Sequence, residues 1–164
     1  MNKVLDFLKK QSVSTYLTLA AFILALVAMS VYCANGNVEG YFKGTNPGGI
    51  ITFSVFSVIL LAIALVLTQV NVENKTVMLV IRVCSDILKV VAAVFMIVVM
   101  MNFIQTRLNG LSYIFFSNDS VKQEVATPIN LASAYTAIAG FIIYVIAWLV
   151  ALVNVYFSFR PVKK

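Results

Sequence analysis

Three charged residues, Arg82, Asp86 and Lys89, have the spacing best suited to chemistry in this sequence. They lie at positions i, i+4 and i+7, so one face of a helix would carry all three. Asp86 could form an ion pair with the cation on either side of it, and we expect Lys89 to reach water at the membrane edge through its long side chain. Such a face is typical of a solvated helix beside the membrane; alternatively, it lines a vestibule or binds a partner subunit.

The sequence lacks residue types that most catalytic and metal sites require. It contains no histidine, which argues against histidine-ligated haem, most zinc sites and catalysis by Ser-His or Cys-His pairs. Its two cysteines, Cys33 and Cys84, do not form a CxxC motif, and the sequence has no glycine-rich phosphate loop. We therefore predict a protein that is not an enzyme, with no catalytic residue, no metal and no cofactor.

The elements that would position these residues follow from the distribution of charge. Charged residues are absent from four stretches, 11–38, 44–72, 90–106 and 125–159. A bilayer core about 30 Å thick needs roughly 20 apolar residues in a helix, and the composition agrees, with 62% hydrophobic residues and a mean hydropathy of +0.98. We predict an all-α fold with four transmembrane helices, at about 13–33, 49–69, 77–106 and 129–158.

Short connections between these helices predict an up-down-up-down four-helix bundle that forms a single integral membrane domain over residues 1–164. The two predicted outer loops are 34–48, in which 38–43 could form one short strand, and 107–128. The second loop contains Asn118-Asp119-Ser120, which fits the N-glycosylation pattern, and whether Asn118 is modified stays open.

Residues 2–11 are predicted to form a short amphipathic helix ahead of the first span. Its apolar residues can share one broad face with the charged residues opposite, Val4, Leu5, Phe7 and Leu8 against Lys3, Asp6, Lys9 and Lys10. We expect this helix to lie on the inner leaflet as an anchor. The alternative is an N-terminal helix that folds into the mouth of a pore.

Lysine and arginine are unequally distributed between the two sides that this topology defines. Of the 12 cations in the chain, three fall in the predicted outer loops: Lys43, Arg107 and Lys122. The others lie on the side of the two termini, which is therefore predicted to be cytoplasmic in a plasma or inner membrane. There the positive charge would attract anionic lipid headgroups, so the net charge of +6 does not indicate nucleic-acid binding.

A row of small residues, Ala132, Thr136 and Gly140, recurs at intervals of four in the fourth predicted span. Small side chains at this spacing let two helices approach closely. The ridge is compatible with packing inside the bundle and with an interface between copies of the chain.

These observations favour a structural role in the membrane over a chemical one. Proton- and cation-coupled transporters usually need a carboxylate deep in the bilayer, and Asp86 is the only candidate near it. We predict a small non-enzymatic multi-pass membrane protein that acts as an accessory or scaffold subunit of a membrane complex. The alternative is an oligomeric pore-forming or transport subunit. The expected partners are the lipid bilayer and either further copies of the chain or another membrane protein.

Overall fold

The computed structural model describes residues 11–70 and 72–158. Within them it contains five helices and no strand: α1 (Val13–Asn37), α2 (Gly48–Leu67), α3 (Lys75–Phe116), α4 (Asp119–Val125) and α5 (Pro128–Ser158). Helices α1, α2, α3 and α5 are long and apolar enough to cross a membrane. The all-α prediction and the prediction of four long apolar helices are therefore confirmed. The predicted amphipathic segment at 2–11 lies outside the described residues, apart from Gln11.

Helices begin where the sequence offers suitable residues for their first turns. Ser12 caps α1, because its Oγ accepts a hydrogen bond from the backbone N of Thr15 at 3.2 Å. Asn74 caps α3, with its Oδ1 3.0 Å from the backbone N of Thr76. Pro128 is the first residue of α5, where its missing N–H costs no helical hydrogen bond. Local side chains thus set the starts of three long helices.

The core is built largely from small residues that recur every three or four positions along the long helices. The buried alanines are Ala21, Ala25, Ala28, Ala64, Ala92, Ala93, Ala134, Ala137, Ala147 and Ala151. A repeat of this period keeps one stripe of each helix against its neighbours. Small side chains let helix backbones approach closely, which matters in a bilayer because lipid tails are as apolar as the helix surfaces.

Each long helix makes its main contacts with two others. Helix α1 packs against α2 and α5, and α3 packs against the same two helices. Two serines tie α2 to α3. Ser57 Oγ donates to the carbonyl of Ala92 at 3.0 Å, and Ser85 Oγ donates to the carbonyl of Ala64 at 3.2 Å. These hydrogen bonds satisfy hydroxyl groups that would otherwise be buried at a cost.

Helix α3 is longer than its predicted span of 77–106. It continues through Arg107 to Phe116, and α4 follows shortly afterwards. Most of the predicted outer loop at 107–128 is therefore helical, which corrects the sequence-based boundary. With 42 residues, α3 is about 63 Å long, roughly twice the thickness of a hydrocarbon core.

The connection between α1 and α2 is a series of turns, so the predicted short strand at 38–43 is wrong. Gly44 adopts a φ of 75° in this connection, a conformation that suits a turn and not a ladder. The aromatic rings of Tyr41 and Phe42 lie over Gly110 of α3, where a Cβ would be 2.5 Å from a ring atom of each. Gly110 therefore allows the connection to pack closely onto α3, and it lies in a helix and not in the predicted outer loop.

The outward faces of the four long helices are apolar. Large hydrophobic side chains are exposed along each of them, among them Ile23, Phe56, Val94 and Leu149. In water a surface of this extent would drive association, whereas lipid tails would cover it in a bilayer. The fold is thus compatible with a membrane protein that has four candidate spans.

Candidate functional site

The core-facing row of α3 carries two buried cations. Lys89 is 3% exposed and Arg107 is 0% exposed. At a rise of 1.5 Å per residue they lie about 27 Å apart along the helix, close to the thickness of a hydrocarbon core of about 30 Å. Buried charges are costly unless other groups bind them well, so the surroundings of these two cations define the candidate site. The two ends of the bundle are called the Lys89 end and the Arg107 end.

At the Lys89 end, the ammonium group is held by oxygen atoms of two helices. Lys89 Nζ donates to Asp86 Oδ1 at 3.2 Å and to Ser14 Oγ of α1 at 3.1 Å. The Asp86 side chain is 18% exposed, so the carboxylate lies between the bundle and its surroundings. This ion pair lets an ammonium group stay inside an apolar bundle.

Asn154 of α5 extends this arrangement across a third helix. Ser14 Oγ donates to Asn154 Oδ1 at 3.0 Å, and Asn154 Nδ2 donates to Thr18 Oγ1 at 2.9 Å. The side chain of Asn154 is fully buried, and both its donor and its acceptor group are used. We refer to these five residues, Ser14, Thr18, Asp86, Lys89 and Asn154, as the Lys89 network.

Of the predicted charged face, the structure brings Asp86 and Lys89 together but not Arg82. Arg82 is exposed and makes no ion pair with a described residue, whereas Asp86 pairs with Lys89. Lys89 was expected to reach outward to water, and this is corrected, because the oxygens of Ser14 and Asp86 lie within reach on the bundle side. The role of this face in a vestibule or a partner interface stays a prediction.

At the Arg107 end, a guanidinium group is held by four uncharged oxygens. Arg107 Nε donates to Asn35 Oδ1 at 3.0 Å, and Nη1 donates to the carbonyl of Thr45 at 3.2 Å and to Thr106 Oγ1 at 3.0 Å. Its Nη2 donates to Asn46 Oδ1. Arg107 therefore binds the end of α1 and the connection before α2 at the same time.

Three aromatic rings enclose the same guanidinium group. Its Cζ lies 5.3 Å from the ring centroids of Phe42 and Phe103 and 5.9 Å from that of Tyr32. Ring faces attract a cation at such distances, by about 2 kcal/mol when water is excluded. No carboxylate of the described residues pairs with Arg107. We refer to Arg107 with its oxygen and ring partners as the Arg107 cluster.

The Arg107 cluster was not predicted from the sequence, and Arg107 was expected at the start of an outer loop. A signal for it was present. Lys89, Met96 and Phe103 follow the buried row of α3, and one further step of four along that row reaches Arg107. The partners in 35–46 carry no comparable signal, because their contacts depend on how the connection folds back.

Apolar side chains fill the bundle between the two cations. Leu61, Met96, Val99 and Phe103 are each at most 1% exposed. They belong to two clusters of buried residues that lie along the axis of the bundle. Within one copy of the chain, the described residues between Lys89 and Arg107 therefore form a packed apolar core.

Two tyrosines within this core differ in how their hydroxyl groups are bound. Tyr144 OH lies 2.9 Å from Ser54 Oγ, so α5 and α2 share a hydrogen bond. Tyr32 OH is buried and has no hydrogen-bond partner among the described residues. The ring of Tyr32 instead packs against Phe103, with ring centroids 4.8 Å apart.

The structure divides the predicted ridge Ala132, Thr136 and Gly140 between two environments. Ala132 and Thr136 are exposed, and Thr136 Oγ1 donates back to the carbonyl of Ala132 at 2.8 Å. Gly140 is buried, and a Cβ there would lie 2.6 Å from Phe103 Cε1. Only Gly140 of the three therefore contributes to packing inside the bundle, while an interface between copies through the other two stays a prediction.

Fold and site together describe an all-α chain with four candidate membrane spans and two buried cationic centres. Comparisons with protein-family models, with curated proteins and with solved structures found no match to this chain. The function is therefore inferred from the two buried centres and from the surface of the bundle.

Proposed function

We propose that this chain is a non-enzymatic multi-pass membrane protein that serves as an accessory or scaffold subunit of a membrane complex. The observation that carries this proposal is that other groups of the chain bind both buried cations. Lys89 is bound by Asp86 and Ser14, and Arg107 is bound by the connection before α2. Both charges are thus bound within the chain. The apolar outer faces of the helices are therefore the surface that remains for partners.

The proposed topology is up-down-up-down, with the Lys89 end in the cytoplasm. Contacts between helix ends support the alternation: Ser14 near the start of α1 binds Asn154 near the end of α5, and Asn35 near the end of α1 donates to the Ser133 carbonyl near the start of α5. The excess of lysine and arginine on the side of the termini supports the orientation. Exposed cations there would bind anionic headgroups of the cell membrane.

An oligomeric pore or transport subunit is the second candidate function. The exposed pair Ala132 and Thr136 on α5 favours it, because small residues at this spacing allow a close contact between two copies. The apolar core between Lys89 and Arg107 means that a water path would have to lie between copies.

The test is the oligomeric state and ion conductance of the purified chain in nanodiscs and planar bilayers. For a scaffold, we expect a particle of low copy number that does not conduct, and a larger assembly in native membranes with a fixed ratio to a second membrane protein. A uniform ring that conducts ions without any other protein would contradict the scaffold proposal and support the pore.

A matched pair of variants identifies the surface responsible. Thr136→Leu alters the exposed small pair, whereas Ile142→Leu alters a position on α5 that is 56% exposed and outside it. If the pore is correct, the first variant reduces ring formation and conductance and the second does not. For a scaffold, neither variant creates or removes a conductance.

A further inference from the structure

A groove on α3 near the Lys89 end is a surface feature that the two buried centres do not use. Its volume is ≈ 240 Å³, and its lining among the described residues comes from α3 alone: Val83, Asp86, Ile87, Val90 and Val91. Four of these side chains are aliphatic, and the fifth is a carboxylate. Val83 and Ile87 are 50% and 55% exposed. We refer to this feature as the α3 groove.

An apolar track leads from the α3 groove toward the middle of the bundle. Its members recur every three or four residues on one face of α3, and each is at least 36% exposed: Ile87, Val90, Val94 and Val98. From the first to the last, the track is about 16 Å long, which is about half of a hydrocarbon core of about 30 Å. One acyl chain of a single leaflet would therefore cover it.

Two charged groups lie where this track reaches the Lys89 end. Arg82 is exposed and makes no ion pair with a described residue. Asp86 lines the groove and accepts a hydrogen bond from Lys89 through Oδ1, while no described residue binds its Oδ2. The entrance of the groove thus offers a cation and a carboxylate oxygen about 6 Å apart along the helix.

We propose that the α3 groove binds one phospholipid whose headgroup ends in a primary ammonium, such as phosphatidylethanolamine. Arg82 donates to the phosphate, the ammonium donates to Asp86, and one acyl chain lies along the track. Each charge of the headgroup then meets an opposite charge, and hydrogen bonds between charged groups are about twice as strong as neutral ones. This inference requires that the bundle lies in a bilayer, and it holds for a scaffold and for a pore.

The order of groups along α3 matches the order of groups along a phospholipid. The distance between Lys89 and Arg107 is close to the thickness of a hydrocarbon core, so Lys89 lies near one boundary of that core. Asp86 lies about 5 Å beyond Lys89 and Arg82 about 10 Å beyond it, so both side chains reach the headgroup layer. Most of the apolar track lies on the hydrocarbon side. A polar ligand without an acyl chain would leave the track uncovered.

The carboxylate of Asp86 determines which headgroup binds best. Phosphatidylglycerol carries the same phosphate but ends in hydroxyl groups, which form a weaker hydrogen bond to a carboxylate than an ammonium does. Phosphatidylcholine carries both charges, but its quaternary ammonium has no N–H to donate. General attraction by exposed cations would instead favour phosphatidylglycerol, because its net charge is negative. The ranking of these three lipids therefore distinguishes a headgroup site from general attraction.

Native mass spectrometry of the full chain in detergent measures that ranking. The chain is mixed with equal amounts of dioleoyl phosphatidylethanolamine, phosphatidylcholine and phosphatidylglycerol, and the bound lipid is identified from the mass of the complex. We expect the ethanolamine lipid to exceed each of the others by about fivefold, as one charge-assisted hydrogen bond allows. Equal binding of the three lipids, or a preference for phosphatidylglycerol, would overturn the proposal.

A matched pair of charge variants tests the contact with the phosphate. Arg82→Gln removes the proposed donor, whereas Lys75→Gln removes another exposed cation of α3 that lies about 10 Å farther from the groove. We expect Arg82→Gln to lower bound phosphatidylethanolamine by about fivefold and Lys75→Gln to leave it unchanged. Equal losses in both variants would mean that positive charge in general, and not the α3 groove, holds the lipid.

A second pair tests the apolar part of the site. Ile87→Trp fills the groove at an exposed position, and Ile59→Trp makes the same change at a position of α2 that is 45% exposed. The first variant should lose bound lipid by a similar factor, and the second should retain it. Retention in Ile87→Trp would contradict the placement of the acyl chain. A lipid-free dimer of the parent chain that Ile87→Trp dissociates would assign the groove to a second copy and overturn the proposal.

Discussion

The two buried cations of α3 are stabilised in different ways. Lys89 has a carboxylate, Asp86, at 3.2 Å, and its network extends through small polar side chains of α1 and α5. Arg107 has no carboxylate partner among the described residues and is bound by amide, carbonyl and hydroxyl oxygens between three aromatic rings. The charge of Lys89 is thus balanced by an opposite charge. The charge of Arg107 is stabilised by the dipoles of its oxygen partners and by the faces of aromatic rings.

The choice of cation suits each environment. An ammonium group is a compact point charge on a flexible chain, which can reach a carboxylate one turn away on the same helix. A guanidinium group is planar and presents five donors, so it can bind oxygens in several directions while its faces contact aromatic rings. Arg107 can therefore order a connection between helices, whereas Lys89 joins helices that already lie side by side.

Replacing the arginine should have the largest effect. Arg107→Met leaves the Asn35, Thr45 and Asn46 oxygens without their donor inside an apolar site, and we expect a loss of about 3 kcal/mol or more in the free energy of unfolding. Unfolding in mixed detergent micelles, followed by circular dichroism, measures it. Limited proteolysis should then cut within residues 38–47 faster than in the parent.

Arg107→Lys is the informative control for that prediction. It keeps the charge but removes the planar set of donors, so it should recover less than half of the lost stability. A lysine variant as stable as the parent would mean that charge alone orders the connection.

Removing the lysine should have a smaller effect. In Lys89→Met, the partly exposed Asp86 can hydrate and Ser14 keeps its bond to Asn154, so we expect a loss of about 1–2 kcal/mol. The same unfolding measurement applies. The double variant Lys89→Met with Asp86→Leu should regain most of this loss, since no unpaired charge remains. A double variant that loses the sum of both single effects would contradict this explanation.

The fold was more predictable from the sequence than the two centres. The number and type of the long helices follow from long uncharged stretches, and the caps Ser12 and Asn74 lie next to the helices they start. Such signals are local. The end of α3 was misjudged because Asn109-Gly110 has the composition of a turn, while its helical state depends on packing against Tyr41 and Phe42.

The centres depend on contacts between residues far apart in sequence. Arg107 meets Asn35 at a separation of 72, and Ser14 meets Asn154 at a separation of 140. Nothing in the neighbourhood of any of these residues identifies its partner. The charged spacing of Asp86 and Lys89 was readable, but the direction in which Lys89 points was not, because it is set by Ser14 on another helix.

Replacing each of the two core tyrosines distinguishes the stability contributed by a side-chain hydrogen bond from the stability contributed by packing. Tyr144→Phe removes the hydroxyl that bonds to Ser54, so we expect a loss of about 1 kcal/mol. Tyr32→Phe removes a buried hydroxyl without a described partner, so stability should be unchanged within about 0.5 kcal/mol or rise. Both are measured by detergent unfolding. A large loss in Tyr32→Phe would show that its hydroxyl contributes to the Arg107 cluster.

The smallest effect is expected at the surface ion pair of the connection that Arg107 binds. Lys43 donates a hydrogen bond to Glu39, and this bond, together with the attraction of the two charges, holds the pKa of Glu39 below its usual range. A lowered pKa contributes stability above the pKa of the unfolded chain and loses it as pH falls through the folded value. Both side chains are exposed, at 55% and 77%, so solvent and salt screen the pair.

Glu39→Gln should therefore leave the unfolding midpoint at neutral pH and the protease resistance of residues 38–47 unchanged within error. Arg107→Met, measured beside it, should lose both. If Glu39→Gln exposed the connection to protease as fully as Arg107→Met does, the surface ion pair, and not the buried guanidinium, would be what orders the connection. The comparison between the two ends of α3 would then fail, because Lys89 would be the only one of the two buried cations that orders its surroundings.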